Sequence, residues 1–438
     1  MHLAPPNTQT GKRFAESGRA ADIALARLRV GACGLLLLSF HVFAEPLPIT
    51  LNQAENRLSL VNREIAMARR AAESANADIA IAGQAPNPVL GYSVASVSPN
   101  RGIGAGRFSD KRVDHVASVS QLFERGSKRE LRAESAEALA RAAHADLDDV
   151  GRQQRMALHH AYYDLKAAAD RLALHSETDA LYRKSLEAAE MRLKHGDLAA
   201  VDVNRLRIEA LRAQNEVRGA RAEVLKAQRA LSYILGEDAR KEDLAAVDEW
   251  PKPIEARVTP GMLERRPDVR AAFARIDAAT KARDLSRRLT TRDVTVGLQV
   301  ERDRTGLPPD SGVSYGVSVS VPLFVRYGFE GEMAKAETAF SAAVEDRERV
   351  LALAEVEALR ARDELSAADE KLRRIESEVL PAARQVAVSA EYAFRRGAMA
   401  LMDLLDARRT LRAVELDAVA ARGEHAKAQA AWLAATEW

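Results

Sequence analysis

The chain has 438 residues, of which 29% are charged and 5% aromatic, and its formal net charge is +2. This near-neutral balance excludes a nucleic-acid binder that relies on a basic surface, and it excludes a disordered acidic chain. The abundance of Ala, Glu, Arg and Leu favours long helices over a compact mixed core.

Residues 1–44 are predicted to form an export signal that is cleaved after Ala44. Arg27 and Arg29 precede an apolar run of about 14 residues, which is shorter than the roughly 20 that a membrane-spanning helix needs. Lipidation at Cys33 is the less favoured alternative, because the apolar run follows this residue instead of preceding it. Since Cys33 is the only cysteine, the mature protein would contain no disulfide.

The first half of the mature chain, 45–240, changes from helical to extended patterns and back. Residues 49–82 contain no Pro or Gly and carry apolar residues at helical spacing, which predicts a single helix. A β-hairpin follows at 88–123, where apolar and polar residues alternate with period two on either side of a Gly-rich turn. Residues 127–236 then form a long helical hairpin, whose first arm reaches Lys194 and measures about 100 Å.

The second half repeats this plan after an irregular linker at 241–266, which is rich in Pro. The second structural repeat, 267–438, opens with a helix and continues into a β-hairpin at 293–324. A second long helical hairpin occupies 329–438, and Pro381 is expected to kink its first arm.

Matching bends identify the two halves as the same unit repeated. Gly397 lies 201 positions after Gly196, and Asp403 lies 201 positions after Asp202. A repeat of this length means that each half contributes the same set of elements to one architecture.

The predicted strands are about 10 residues long, which is the length of a tilted strand across a lipid bilayer. In the last strand, Val313, Tyr315, Val317 and Val319 alternate with Ser and Gly. Such alternation is typical of a membrane β-barrel, but a half-buried strand in a soluble sheet shows the same pattern. The pattern alone leaves both interpretations open.

Helix and strand counts together predict an oligomer. Each long arm measures about 100 Å, and the shorter helices add up in pairs to a similar length, so the chain supplies four helical legs under four strands. Membrane barrels have at least eight strands, and an open sheet edge in lipid leaves unpaired backbone groups that cost several kcal/mol each. Two copies would reach the minimum, whereas three would give twelve strands around an aqueous lumen.

Several stretches together carry a family resemblance. They are the duplication, the paired Gly-x5-Asp bends, and Asp403-Leu-Leu-Asp406-Ala. With these features the chain resembles the TolC-type outer-membrane efflux factors. Pro86-Asn-Pro88 and Gly126-Ser-Lys-Arg129 are more similar to the CzcC-like branch, which is associated with efflux of divalent heavy-metal cations.

The resemblance implies an α+β membrane protein that is internally duplicated and assembles as a homotrimer. Four strands per chain would complete a 12-stranded β-barrel in the lipid of the outer membrane, and the helical hairpins would form an α-barrel through the periplasm. The channel would passively conduct substrate, such as cobalt, zinc or cadmium ions, from an inner-membrane pump of the resistance-nodulation-division (RND) class through a periplasmic adaptor. No cofactor, resident metal, nucleic acid or enzymatic activity is implied.

The resemblance also assigns roles to the bends. It places a gate at the periplasmic mouth of the channel, formed by Asp202, Arg205, Asp403 and Asp406. It places the adaptor contacts at the hairpin tips, formed by Gly196, Leu198, Gly397 and Met399. Family members often have an Arg at the position of Met399, where it latches an Asp, and the Met at this position puts that latch in doubt. In the alternative interpretation, Asp202 and Asp403 are only first-turn residues that favour the positive end of a helix dipole.

The histidines do not predict a metal site, because their spacing differs between the halves. We expect the histidines to occupy solvated positions on helices: His144, His159, His160, His175, His195 and His425. Two other functions stay open: a duct for drug efflux or type I protein secretion, and a periplasmic coiled-coil adaptor or scaffold. An adaptor would need only one helical hairpin.

Overall fold

The computed structural model describes residues 47–100, 102–108, 111–236, 244–304 and 312–436. The predicted export signal lies outside these residues. The helices are α1 (Leu51–Val61), α2 (Arg63–Ala82), α3 (Lys128–Lys194), α4 (Ala200–Ile234), α5 (Pro267–Arg288), α6 (Glu330–Arg374), α7 (Leu380–Arg395) and α8 (Leu401–Thr436). The strands are β1 (Leu47–Ile49), β2 (Val89–Ala95), β3 (Asp114–Phe123), β4 (Leu244–Ala246), β5 (Val294–Arg302) and β6 (Val313–Ser320).

Strands β2, β3, β5 and β6 form one antiparallel sheet in the order β2-β3-β5-β6. Its register aligns Leu90, Val119, Leu298 and Val317 in one row across the sheet. The next row aligns Gly91, Ser118, Gln299 and Gly316, which points to the opposite face. The period-two alternation therefore produces one apolar and one polar face, as the sequence predicts.

Glycines on the polar face leave room for the side chains that neighbouring strands place over them. A Cβ atom at Gly91 would lie 2.7 Å from the Ser118 hydroxyl oxygen, and one at Gly316 would lie 2.9 Å from the Gln299 side chain. Small residues on this face let the serine and glutamine side chains lie across it.

Helix α3 is the central support of the fold, and its 67 residues extend about 100 Å. Its first half packs against α2 and α5, where Lys281 pairs with Glu134 at 2.7 Å and Arg270 pairs with Asp148 at 2.5 Å. Its second half packs against α4 and α8. The helices therefore lie side by side in long antiparallel pairs.

The largest apolar cluster surrounds the middle of α3. Leu158, Tyr162 and Leu165 are almost fully buried there, against side chains from α1, α4 and α8. The Tyr162 hydroxyl group donates to the Asp248 carboxylate at 2.7 Å and contacts the Ile49 carbonyl oxygen at 3.1 Å. This cluster connects the helices of both repeats at mid-height.

The predicted single helix over 49–82 is wrong, because it is broken at Asn62. Asn62 has an extended backbone and ends α1 while capping α2, since its side-chain oxygen accepts from the Ile65 amide at 3.0 Å. Its side-chain amide donates to the Ile234 carbonyl oxygen at 2.8 Å. A hydrogen bond across the fold, which no local pattern records, therefore sets this break.

The linker at 241–266 is not irregular throughout, because it contributes strand β4. Leu244, Ala245 and Ala246 pair in parallel with Leu47, Pro48 and Ile49 of β1. Strands of three residues are too short to show a period-two pattern, so the sequence gives no signal for this sheet.

The distortion expected at Pro381 lies in the turn before it. Residues Ile375–Val379 form a π-helical segment between α6 and α7, in which the Leu380 amide bonds to the Ile375 carbonyl oxygen. Proline has no N–H group and its ring clashes with the carbonyl four residues earlier, so the preceding turn widens.

Candidate functional site

The two bends between the long helices have the same backbone geometry. Gly196 ends α3 with φ +81°, and Gly397 ends α7 with φ +74°. At the first bend the Asp197 amide bonds to the Arg192 carbonyl oxygen, and at the second the Ala398 amide bonds to Ala393, each at 2.9 Å. This pattern is the Schellman motif, which requires a left-handed residue and therefore favours glycine.

The predicted gate residues lie in the first two turns of the helices that follow the bends. Asp202 is in the first turn of α4 and forms an ion pair with Arg205 at 3.4 Å. Asp403 is in the first turn of α8, and Asp406 lies one turn later on the same helix; both are exposed. Arg205 is thus paired within its own bend, with Asp202.

The predicted tip residues differ in exposure. Gly196 and Gly397 are exposed, whereas Leu198 and Met399 are half-buried. Leu198 packs against the apolar cluster between α3 and α4, and Met399 packs against Leu404 and its neighbours at the second bend. The two apolar side chains therefore help to close their own hairpins.

A small apolar cluster joins the two hairpins near the bends. Leu405 of α8 is 1% exposed and packs with Val203, Leu206 and Ala210 of α4 and with Tyr182 of α3. The structure thus brings the start of α8, with its carboxylates, against the first hairpin.

Two arginines of α8 add polar links between the hairpins. Arg409 donates to the Glu209 carboxylate of α4 at 2.6 Å, which raises the pKa of the guanidinium group above its ordinary value. Arg408 donates to the Ser185 hydroxyl group of α3 at 3.4 Å and to Glu391 of α7 at 3.0 Å. The sequence analysis did not identify these two arginines. The first repeat does not point to Arg409, because the corresponding position, 208, is Ile.

Packing around these links is incomplete. A cavity of about 470 Å³ lies between the hairpins on the bend side, lined by Leu198, Phe394, Leu401 and Arg408 among others. A second cavity, of about 440 Å³, lies on the other side of Arg409. Because protein interiors are normally close-packed, these openings leave parts of the interface without apolar contacts, and the packing is concentrated around Leu405.

Arg412 extends into the second cavity. Two of its side-chain nitrogens, Nε and Nη2, are buried without a hydrogen-bond partner, and burial lowers the pKa of its guanidinium group. The carboxylates of Glu415, Glu216 and Glu177 act on it only through space. The contact between the hairpins therefore contains a cation that its surroundings do not fully satisfy.

The expectation that the histidines are solvated is wrong for two of them. His159 is buried and bonds to Glu55 at 2.6 Å. His425 is 1% exposed, and burial lowers the pKa of its imidazole. Across the described residues, His, Cys, Asp and Glu side chains form no group of three or more placed to hold a metal ion.

Within the same part of the chain, no helix is both long enough and apolar enough to cross a lipid bilayer.

Comparisons with known proteins cover nearly the whole of the described chain. A family model described as "Outer membrane efflux protein" matches residues 56–237 and 260–436. The cobalt-zinc-cadmium resistance protein CzcC of Cupriavidus metallidurans is 26% identical over 374 residues, which is 83% of this chain and 84% of that protein.

Solved structures show the same fold at low sequence identity. The outer-membrane channel OprN superposes with a TM-score of 0.74 at 20% identity, covering 88% of this chain and 89% of that one. CusC gives a TM-score of 0.73 at 17% identity, with 88% and 91% covered. The open state of the MtrE outer-membrane channel of Neisseria gonorrhoeae gives 0.71 at 16% identity, with 88% of each chain covered.

Proposed function

The chain belongs to the outer membrane efflux protein family, and from that premise we propose that it forms the outer-membrane duct of a tripartite efflux system. It is a channel protein rather than an enzyme, and it lies in the outer membrane and extends into the periplasm. In the proposed system an inner-membrane RND pump delivers substrate to the duct through a periplasmic adaptor. The observation that carries the proposal is a four-stranded sheet with one apolar face, set on helical hairpins about 100 Å long.

The proposed assembly is a homotrimer with a 12-stranded β-barrel. Strands β2 and β6 are the two edges of the sheet, and they run in opposite directions. The β6 edge of one chain can therefore continue antiparallel into the β2 edge of the next. Closure by three copies would leave no unpaired edge in lipid, and the polar face would line a lumen. The mature chain would begin after residue 44 and comprise the repeats 45–240 and 267–438.

The proposed gate is the ring of carboxylates at the bends. In a trimer, Asp202, Asp403 and Asp406 would each occur three times around the periplasmic mouth. Such a ring attracts cations and repels itself, so the width of the mouth would depend on what screens the charges. Arg205 would partly neutralise Asp202, and the tips at Gly196, Leu198, Gly397 and Met399 would meet the adaptor.

The proposed substrates are divalent heavy-metal cations. The support is the likeness to a relative described as a cobalt-zinc-cadmium resistance protein, which extends over 83% of the chain. Drug efflux and type I protein secretion are the alternatives, because a passive duct accepts whatever the pump delivers. A periplasmic adaptor or scaffold is no longer a competing function, since the family match covers both repeats.

Deletion of the gene tests this proposal. The deletion strain should lose tolerance to zinc, cobalt and cadmium while keeping its tolerance to dyes and antibiotics, and the wild-type gene should restore it. The reverse pattern would support a drug duct, and unchanged tolerance to all of these compounds, with loss of a secreted protein, would support secretion.

A further inference from the structure

The cavity of about 470 Å³ beside the bends has walls from both helical hairpins, and we call it the bend cavity. Volumes between about 300 and 1,000 Å³ are typical of small-molecule sites. Helix α3 lines it with residues that share one helical face: Ser185, Ala188, Ala189 and Arg192. Because three of these side chains are small, α3 leaves a space between itself and the second hairpin.

The wall opposite α3 is largely apolar. Leu404 and Leu405 of α8 are almost fully buried, and Phe394 of α7 is half-buried. Leu198, at the start of the returning arm of the first hairpin, closes another side. A ligand with an apolar body would therefore bury its CH₂ groups against both hairpins.

The charged part of the lining is mostly cationic. Its charged side chains are Arg192, Glu391, Arg395 and Arg408. The Glu391 carboxylate accepts from Arg408 at 3.0 Å and from Arg395 at 3.3 Å, so two guanidinium groups share one carboxylate. Arg192 is exposed and pairs with none of the carboxylates that the structure describes.

The other carboxylates near the bends lie outside this lining. Glu190 pairs with Arg207 of α4 at 2.9 Å. The remaining ones are Glu187, Asp197, Asp202, Asp403 and Asp406. Outside the cavity the charges are of both signs, whereas its own lining has three guanidinium groups and one carboxylate.

We infer that the bend cavity binds a small amphiphilic acid, with its apolar body against Leu404, Leu405 and Phe394 and its carboxylate on Arg192. A guanidinium group binds a carboxylate through two parallel hydrogen bonds. A neutral apolar molecule would gain only the apolar contacts and would leave Arg192 unused. An amphiphilic cation would meet the three guanidinium groups with a single carboxylate to offset them.

Such a ligand would hold the hairpins together, because it contacts helices of both. It would bind less well once the hairpins separate, so binding would shift the equilibrium toward the closed state. This consequence rests on the proposed function, since it requires a mouth that opens. The binding itself requires only the cavity.

Equilibrium dialysis of radiolabelled octanoate tests the binding, with the mature protein in lipid nanodiscs and empty nanodiscs as the blank. Octanol and octylammonium, labelled in the same way, provide a neutral and a cationic molecule of equal chain length. The blank removes the part of each signal that comes from partition into lipid.

Two pairs of variants locate the site. Ala188→Phe fills the cavity, and Ala180→Phe, at an exposed position on the same helix outside the lining, is its control. Arg192→Gln removes the unpaired cation. Lys194→Gln is its control, because Lys194 is exposed in the same last turn of α3 but does not line the cavity.

The wild type should bind octanoate saturably and more tightly than octanol or octylammonium. Arg192→Gln should weaken octanoate binding about tenfold, the loss expected for one hydrogen bond to a charged group. Ala188→Phe should abolish saturable binding, and both controls should bind like the wild type. Equal affinity for octanol, no saturable binding by the wild type, or equal losses in a variant and its control would overturn the inference.

Single-channel recording separates this inference from the proposed function. Saturating octanoate should lower the open probability of the wild type and of Ala180→Phe, but not that of Ala188→Phe. Channels that bind octanoate in dialysis and yet open as often with it as without it would overturn the closing effect. A wild-type protein that forms no channels would refute the duct, whatever acid it binds.

Discussion

Replacement of Arg409 by alanine should open the channel more often by releasing the link between the hairpins. The Arg409–Glu209 hydrogen bond is 2.6 Å long and joins α8 to α4, and the Glu209 side chain is only 12% exposed. Hydrogen bonds between charged groups contribute about 1.5–3 kcal/mol. Because Arg409 is 44% exposed, solvent screening places this hydrogen bond at the lower end of that range, about 1.5 kcal/mol.

That free energy corresponds to about a tenfold change in the open–closed equilibrium of one protomer, if opening separates the hairpins. In a trimer whose three protomers open together, the factors multiply to about a thousandfold. The apolar packing of Leu405 against α4 also resists separation, so Arg409→Ala removes one part of the barrier.

The assay is single-channel recording in planar bilayers, with open probability as the readout. Arg212→Ala is the matched control, because Arg212 also pairs with Glu209, at 3.1 Å, but from the same helix. It therefore removes a partner of Glu209 without removing a link between hairpins. Arg409→Ala leaves Glu209 paired with Arg212, so no carboxylate is left buried and uncompensated.

An open probability for Arg409→Ala equal to that of Arg212→Ala would refute this reasoning. A cycle with Glu209→Ala gives a second check, because the double variant should open no more often than Arg409→Ala alone if the two residues act as one pair.

Three further outcomes are expected. Replacing Asp403 and Asp406 together by alanine should weaken block by divalent cations in the same recordings, and unchanged block would remove both carboxylates from the mouth. Gly397→Ala should lower the unfolding free energy by about 1–2 kcal/mol, since its positive φ is strained for alanine. Gly219→Ala should instead be stabilising in the same melting experiment, because Gly219 lies inside α4 and an added Cβ would meet no atom within 4 Å. Because burial lowers the pKa of His425 in the folded protein, the unfolded chain binds the proton more readily, and stability should fall as pH drops through about 6.5. His425→Gln should flatten that part of the melting-temperature profile against pH, and an identical profile would contradict the assignment.

The local sequence determined the features whose causes lie within a few residues. Gly196 and Gly397 were predictable as bends, because a left-handed residue ends a helix and glycine adopts that conformation most readily. The sheet faces were predictable from alternation of the kind seen from Val313 to Val319. The family was identified by resemblance, through the duplicated bends together with motifs such as Asp403-Leu-Leu-Asp406-Ala, and the match to residues 56–237 and 260–436 confirms it.

Tertiary structure decided the features whose partners are distant along the chain. Asn62 breaks a helix because its amide reaches the Ile234 carbonyl oxygen, 172 residues away. His425 is buried only because α8 packs inside the bundle, whereas its local sequence predicts an exposed position.

The contact between the hairpins also combines features set by local sequence with features set by tertiary structure. Sequence identified the carboxylates near the bends, because each follows a recognisable glycine. It did not identify the Arg409–Glu209 link, which joins residues 200 positions apart. A pattern along one helix records which face is polar, but only packing determines which polar group on another helix lies opposite it.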